Sequence, residues 1–558
     1  MSGYILGLTG WFTRSHDASA CIIKDGSILA MVEEERFTRK KHAYDKTPLF
    51  STLWCLDQVG ITLDDIETVA IGWDYKKLYQ IAGINESKLD NLYEIFFPKK
   101  YFSYAKKPKI ELVSHHLAHA ASTYYLSGND KAAILIVDGQ GEDVSTTFAI
   151  GNQGKIKIIQ SFDIEHSLGY FYEAVSDFIG LGLDSAGKTM GLAPYGQPLY
   201  EFKQIDLTPG GYQVNLPLKP RDSSLDQQRR VVEAWKKELS KQFGSENLVK
   251  YPFDLLYGFT RRELELKKIH KDIAASAQRT LEQTLVHLAK ALVKKTGVSN
   301  ICMAGGVALN CSANTLIARL PEVSNLYIPP NTSDAGVSAG AALYVGGKKA
   351  NKALDTAYLG PSFNNNQIKS VLDKVKVKYK HTNSIGKDVA KLIFDGNIVS
   401  WFQGAEEIGP RALGNRSIVA NPTKPGMSER VNDAKNREHW RPLAPSILEE
   451  KTSLYLEESF PSPFMLHTFN VKPQYRDKIP GVVHLDNSTR PQTVSKLTNP
   501  KYHDMIHHFE KLSGYGLVLN TSFNGSREPI VCTPTDALLS FYGNSTDYLA
   551  IGDFIVTK

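Results

Sequence analysis

Residues 132–159 read AAILIVDGQGEDVSTTFAIGNQGKIKII, and the reading of this stretch decides the fold. Residues 132–137 are an apolar, β-prone run. The loop Asp138-Gly139-Gln140-Gly141 follows, residues 146–150 form a second run, and Asn152-Gln153-Gly154 turns the chain into a third run at 155–159. Residues 4–33 repeat the plan, with runs at 4–9, 18–23 and 27–32, a polar loop after the first and Lys24-Asp25-Gly26 as the turn. Two copies of a strand–loop–strand–turn–strand unit predict an internal duplication. Such a fold sets two similar halves around a cleft, with the first hairpin loop of each half facing the ligand.

Between the copies the sequence predicts a helix over 48–59 and a strand over 68–73, then a Lys/Tyr-rich stretch at 74–108. The segment SHHLAHA (114–120) then opens a run of good helix formers. On a helix, His115 and His119 lie on one face and can share a metal ion, but His116 and His119, three apart, can do the same. Two carboxylates in loops next to strands complete a ligand set. Asp138 ends the run 132–137, and Asp334 lies in Asn331-Thr332-Ser333-Asp334, between a strand at 326–328 and a small-residue helix at 335–345. One aspartate is expected from each half. Two histidines and two aspartates suit Fe(II), Mn(II) or Zn(II) better than Mg(II), for which imidazole is a poor ligand. His16, in the hairpin loop His16-Asp17-Ala18-Ser19, is a candidate general base with a near-neutral pKa.

Gly187-Lys188 reads as a Gly-rich cleft loop, since no strand leads into it as in a phosphate loop, and its lysine either reaches an anion or stands solvated. Residues 200–265 read as an insertion or cap, with helical spacing near 231–239. Ile273, Ala277, Leu281, Leu285, Leu288 and Leu292 form one apolar stripe on a long helix over 271–296, which is core. A strand at 301–304 runs into Gly305-Gly306 and Asn310, a turn that brings backbone amides close to a ligand. The segment AGVSAGAAL (335–343) implies close packing against a neighbour.

Residues 346–358 have glycines, lysines and no apolar period, and set the boundary between a domain at 1–350, carrying the 200–265 insertion, and one at 351–558. The second holds QGAEEIGPRALGNRSI (403–418), NDAKNREHWRPLAPS (432–446), STRPQT (488–493) and NTSFN (520–524). Arg411, Arg416, Lys435, Arg437 and Arg441 concentrate there with few acids beside them, which argues for an oxyanion-rich ligand.

The 558 residues exceed one core. A net charge of +6 permits an anionic ligand without announcing nucleic-acid binding. Five scattered cysteines form no CxxC pair, and no apolar run reaches the roughly 18 residues of a membrane span, so a cytoplasmic protein is expected, with no membrane and no nucleic-acid partner.

Ten motifs in order carry a resemblance: HDASA, EEERFTRKKH, HHLAHAAS, GKTMGLAPYG, MAGGVALN, SDAG, GPRALGNRSI, NREHWRPLAPS, STRPQTV and NTSFN. With them the chain resembles, over essentially its full length, the NodU/CmcH family of O-carbamoyltransferases, members of which serve antibiotic biosynthesis. The resemblance implies an α/β protein: an N-terminal duplicated actin-like (ASKHA) domain followed by a C-terminal YrdC-like α/β domain. It implies that the C-terminal domain forms carbamoyl adenylate from carbamoyl phosphate and ATP, with Mg(II) accompanying the ATP. The N-terminal domain would then pass the carbamoyl group to a hydroxyl of a small natural-product or sugar acceptor.

By motif match it implies His115, His119, Asp138 and Asp334 as ligands of a divalent metal, Fe(II) first, and His16 as base. Gly139, Lys188, Gly305, Gly306 and Asn310 match nucleotide contacts. Arg411, Arg416, Lys435, Arg441, Arg490, Asn520 and Ser522 match contacts to carbamoyl phosphate or the adenylate, with Lys435 and Arg441 catalytic. Two places depart from the pattern: Ala186 stands where an acidic residue often precedes the GK pair, and Gly525-Ser526-Arg527 replaces Val-Arg-Gly. The alternatives are a tRNA threonylcarbamoylation-type enzyme and a non-catalytic nucleotide-binding module. The acceptor is not readable, and its pocket is expected from the segments 74–108 and 200–265; the oligomeric state is open, with a homodimer as one option.

Overall fold

The computed structural model describes residues 3–12, 15–249, 266–348, 350 and 352–558. The chain divides into two units, residues 1–38 with 42–354 and residues 39–41 with 355–558. Sequence reading did not anticipate that Arg39–Lys41 group with the second unit.

In the first unit, strands β1 (Tyr4–Thr9), β2 (Ser19–Lys24), β3 (Ser27–Glu33), β4 (Ile66–Ile71) and β5 (Lys109–Leu112) form a sheet of order β3-β2-β1-β4-β5. β1, β2 and β3 are antiparallel neighbours, and β4 and β5 add in parallel. Strands β6 (Lys131–Val137), β7 (Val144–Asn152) and β8 (Lys155–Asp163) are the second meander, and a separate hairpin holds β9 (Ile205–Thr208) and β10 (Gly211–Val214). With β11 (Asn300–Ala304) and β12 (Asn325–Tyr327), the second sheet runs β8-β7-β6-β11-β12 when read from its meander edge. Three antiparallel strands followed by two parallel ones therefore occur twice in one order. The duplication read from the two meanders is present, and it gives the paired-sheet topology of actin-like domains.

Each meander is followed by a segment that closes on the other sheet. The helix His115–Tyr124 follows β5 of the first sheet but packs against β6 and β11 of the second. The helix Val337–Gly346 follows β12 but packs on β1 and β2. The two helices also touch each other. A Cβ on Gly340 would lie 1.9 Å from the Ala118 carbonyl oxygen, so only glycine admits this backbone approach. The close packing expected of AGVSAGAAL is thus directed at the histidine helix itself.

The helix expected over 271–296 spans Lys268–Thr296, with Ile273, Ala277, Leu281, Leu285, Leu288 and Leu292 buried. The segment at 74–108 forms helices Tyr75–Ala82 and Leu92–Phe96, and the insertion holds helix Gln228–Phe243; its residues 250–265 lie outside the described residues.

The second unit contains β13 (Tyr379–His381), β14 (Val399–Phe402), β15 (Arg416–Ala420), β16 (Ala444–Leu448), β17 (Phe469–Asn470), β18 (Ser488–Thr489), β19 (Gln492–Val494), β20 (Leu517–Ser522), β21 (Tyr548–Ile551) and β22 (Phe554–Thr557). All but β17 and β18 build one mixed sheet, β13-β22-β21-β14-β15-β20-β16-β19. Helices Ile385–Phe394 and Pro500–Ser513 cover one apolar cluster with Trp401 and Phe509, and a second cluster gathers Phe402, Tyr455 and Phe541. This is the α/β unit expected at the C-terminal end. No described helix in either unit is long and apolar enough to cross a membrane.

A candidate metal centre and a cationic cluster

The first unit brings His115, His119, Asp138 and Asp334 together, all buried, with their ligand atoms within 4.8 Å of one another. His115 Nε2 lies 3.1 Å from His119 Nε2, 3.3 Å from Asp138 Oδ2 and 3.5 Å from Asp334 Oδ1. His119 Nε2 lies 3.4 Å from Asp138 Oδ2 and 3.7 Å from Asp334 Oδ1. Ligand atoms bound at about 2.1 Å to one tetrahedral ion stand about 3.4 Å apart. The four atoms therefore already have the spacing of a coordination shell, and the residues fit a mononuclear divalent metal.

The surrounding contacts aim these ligands. His115 Nδ1 faces the Gly72 carbonyl oxygen at 3.2 Å; donating there leaves the Nε2 lone pair for the cluster. Trp73 stacks on the His115 ring at 3.8 Å between centroids. Asp138 Oδ1 accepts from Gly306 N at 2.8 Å. Gly305 holds φ +98, and a Cβ there would come 2.3 Å from the Val137 carbonyl oxygen. The diglycine turn, expected at a nucleotide, thus orients a metal-ligand candidate. Burial opposes charge on His115, but Asp334 and then Asp138 outweigh it and lift its pKa to about 10. Burial acts likewise against the Asp334 carboxylate, yet the histidines hold it at about 2.

His116 points elsewhere. Its Nδ1 meets Thr147 Oγ1 at 2.8 Å, and burial pushes its pKa to about 3. Of the two pairs the spacing allowed, the structure brings together His115 and His119. One expectation is corrected: both aspartates belong to the second half, Asp138 after β6 and Asp334 after β12, while the histidines follow the first sheet.

A residue that the sequence reading missed is Glu142. Its Oε1 accepts from His115 N at 2.8 Å and from Asp74 N at 2.9 Å, placing a buried carboxylate at the start of the histidine helix. Burial raises its pKa, and His115 with the two backbone donors acts against that. No local pattern in GQGED announces a partner in another half.

His16 follows the β1 loop, its side chain 43% exposed, with Nδ1 3.4 Å from Asp17 Oδ2. Asp17 Oδ1 in turn meets His42 Nδ1 at 2.8 Å, and His42 N donates to Glu35 at 2.5 Å. Burial lowers the His16 pKa, but Asp334 and then Asp17 raise it well above the ordinary value. The near-neutral value expected from sequence is not what these charges give.

The second unit gathers cations. Lys435, 5% exposed, donates to the carbonyl oxygen of Ser522, to Ser522 Oγ at 3.3 Å and to Asn524 Oδ1 at 2.8 Å, all neutral oxygens. Burial lowers its pKa far below the usual lysine value, and Arg437, Arg441 and Lys41 lower it further, with Glu528 acting the other way. Burial and Arg441 likewise depress Arg437, with Glu438 acting the other way. Arg441 is depressed by burial and by Arg490, and its acidic neighbour Glu438 lies 3.7 Å away.

Residues 4–343 match the family model "Carbamoyltransferase N-terminus", and residues 390–558 match "Carbamoyltransferase C-terminus". The chain belongs to the carbamoyltransferase family. It is 34% identical to the uncharacterized protein sll1178 of Synechocystis, over 100% of this chain and 97% of that protein. It is 32% identical to nodulation protein NolNO of Sinorhizobium fredii, over 98% of this chain and 79% of that protein. Among solved structures, the activator of the 2-hydroxyisocaproyl-CoA dehydratase from Clostridium difficile aligns over 62% of this chain and 94% of its own, with 16% identity and a TM-score of 0.30.

In this carbamoyltransferase several other expected site residues have identifiable structural tasks. Arg416 is fully buried, stacked 3.7 Å over the Phe402 ring, and donates to the carbonyl oxygens of Gln403, Pro361 and Asn415 at 2.6, 3.0 and 3.0 Å. Its fork holds the 403–416 loop. Arg411 stands half-buried in that loop, whose backbone is wrapped around Glu407 Oε1 by the N–H groups of Leu413, Asn415 and Arg416. Asn520 is interior, donating to the Ala412 carbonyl oxygen and to Ser446 Oγ. Ser522 stays with the cluster through Lys435, and the buried Arg490 Nε has no hydrogen-bond partner.

In the first unit, Asn310 caps helix Cys311–Ala318 and exchanges two 3.0 Å bonds with Gln278. Gly139 lies against Tyr170, where a Cβ would meet the ring at 3.0 Å. Residues 182–189, GLDSAGKT, carry the letter spacing of a phosphate loop, so only context sets them apart. They follow helix Leu168–Phe178, not a strand, and Thr189 Oγ1 is spent on Ser176 Oγ at 2.6 Å. Lys188 lies half-buried in helix Ala186–Leu192.

Proposed function

We propose that this carbamoyltransferase activates carbamoyl phosphate with ATP in its second unit and transfers the carbamoyl group to an acceptor hydroxyl in its first. The observation that carries the reading is the buried Lys435 with the half-buried Arg437 and Arg441 beside it. A lysine desolvated among Arg437 and Arg441, and bonded only to neutral oxygens, is costly unless an anion shares the site. Carbamoyl phosphate and the phosphates of ATP supply that anion, and the arginine forks match their oxygens.

In the second unit, water hydrolyses carbamoyl phosphate: its oxygen bonds to phosphorus as the bridging P–O bond breaks, giving inorganic phosphate and carbamate. A carbamate oxygen then bonds to the α-phosphorus of ATP, and pyrophosphate leaves. Lys435, Arg441 and Arg490 neutralise the charge that accumulates on the transferring oxygens, and Ser522 with Asn524 holds the Lys435 ammonium in place. The product, carbamoyl adenylate, has the good leaving group that carbamate lacks.

In the first unit the acceptor oxygen attacks the carbamoyl carbon and AMP leaves. With the Asp334 charge that raises its pKa offset by a bound divalent metal, His16, its Nδ1 side held by Asp17, would take the hydroxyl proton at Nε2, and Asp17 is held by His42. His115, His119, Asp138 and Asp334 would hold a divalent metal, Fe(II), Mn(II) or Zn(II), which supplies Lewis-acid stabilisation of phosphate charge. Gly306 and Glu142 keep the ligands oriented.

The test is incubation with carbamoyl phosphate, ATP, Mg(II) and either Fe(II) or Mn(II), with detection of pyrophosphate and carbamoyl adenylate. Both should form without any acceptor. Absence of adenylate under every divalent metal refutes the reading.

A further inference from the structure

The first unit contains a cavity of about 640 Å³ that takes no part in the metal centre. That volume is in the range of small-molecule sites. Trp11 and Phe12 of the β1–β2 loop form one wall, Tyr79, Ile84 and Ile95 of the 74–108 segment form the second, and Leu225 of the 200–265 insertion closes the third. Asn91, Ser223 and Ser224 form a polar rim, and the described lining residues include no charged side chain.

Three observations connect this cavity with the chemistry. Trp11 has φ +85, a left-handed conformation that is a genuine outlier for an aromatic residue. It is fixed there by its N–H on the Lys46 carbonyl oxygen at 3.0 Å and by edge contact with Tyr75 at 5.0 Å between centroids. Backbone strain of this kind persists where the surroundings impose it, and it turns the indole to the cavity wall. Phe12 packs on Trp73 at 4.6 Å, and Trp73 stacks on His115, so one aromatic ring separates the cavity wall from the metal ligand. On the far wall, Gln140, two residues beyond Asp138, donates to the Leu225 carbonyl oxygen at 2.8 Å. The loop carrying Trp11 and Phe12 also leads directly to His16.

Resting on the carbamoyl-transfer reading above, we propose that this cavity binds the acceptor, and that the acceptor is an uncharged glycoside. An indole and a phenyl face suit the apolar C–H face of a sugar ring, while Asn91 and the serines suit its hydroxyls. Among the described lining residues a polycationic amino sugar would find no carboxylate, and a nucleotide-linked sugar no cation for its phosphates.

The full-length protein is titrated by calorimetry with 4-nitrophenyl β-D-glucopyranoside, kanamycin and UDP-glucose. The neutral glycoside should bind at least tenfold more tightly than either charged probe. Leu225→Asp should weaken it at least tenfold. Trp11→Gly should do the same, and a thermal melt checks that it stays folded, since relief of the strain at φ +85 offsets part of the packing lost from Tyr75. Stronger binding of either charged probe, no binding of the neutral one, or undiminished affinity in both variants would overturn the proposal. Pyrophosphate release by the unaltered protein, measured separately, reports on the activation reaction alone, so the two readings fail independently.

Discussion

Glu142→Ala and Glu142→Gln, compared side by side, test whether a carboxylate from the second half builds the histidine helix of the first. The Oε1 atom of Glu142 accepts from two buried backbone donors, His115 N and Asp74 N. Alanine strands both. An unsatisfied buried N–H costs about 1–3 kcal/mol, so about 2–6 kcal/mol is at stake. Relief from burying the acid, whose pKa burial raises, brings the expected loss to about 3 kcal/mol. Glutamine keeps a carbonyl oxygen in the same place and loses only the charge at the helix start, about 1 kcal/mol. Urea unfolding followed by circular dichroism should therefore rank Ala below Gln by about 2 kcal/mol. Metal affinity, measured by competition with a chromophoric chelator, should fall about 10–100-fold in the alanine variant, as for other groups that orient ligands. An alanine variant no less stable than the glutamine variant, or unchanged metal affinity in both, would refute the reasoning.

Four further outcomes are expected. Lys435→Met should lower pyrophosphate release about 10²–10³-fold while raising stability, because it removes a buried cation repelled by Arg437 and Arg441; an active or destabilised variant contradicts this. His16→Asn should still form carbamoyl adenylate but transfer nothing, which product chromatography distinguishes. His119→Ala should abolish a one-per-chain metal stoichiometry that His116→Gln leaves intact, since His116 bonds Thr147. His467, buried against Phe460, has its pKa pushed from 6.5 to about 4 by burial alone, so the folded state binds fewer protons than the unfolded one between those values. Stability should fall as pH drops from about 6.5 to 4 by up to about 3 kcal/mol, and His467→Gln should lose that component of an acid titration.

The duplication was legible because hairpins announce themselves locally: two-period apolar runs and Gly-containing turns recur at 24–26 and 152–154 without help from distant residues. The metal centre was half legible. Helical spacing placed three histidines on reach of one another, but the choice between His115 and His116 depended on Thr147, which no spacing rule connects to the helix. The origin of Asp334 misled for a related reason. Its loop looks like the end of another half, whereas sheet order assigns β12 to the same half as Asp138. Arg416 shows the limit of reading charge from composition. A cation in a Gly-interrupted loop looks the same on paper whether or not backbone carbonyls take up its donors, as they do those of Arg416. Glu142 was illegible because its partners are made near by the fold alone.

The crossed packing of the two helices also has a bearing on how the molecule is made. The helix His115–Tyr124 finds its glycine neighbour only in Val337–Gly346, and Ser19 Oγ reaches the Ala335 carbonyl oxygen across 316 positions of sequence. A ribosome releases the histidines long before Asp334 emerges. Nascent chains therefore carry an incomplete ligand set through most of synthesis, and the first unit can close only when its last helix arrives. Contacts of such long range make slow folding steps. If the four residues hold a metal as proposed, its capture comes at the end of that sequence, and metal starvation during expression should leave chains that stall late, with both meanders formed and the seam between them open.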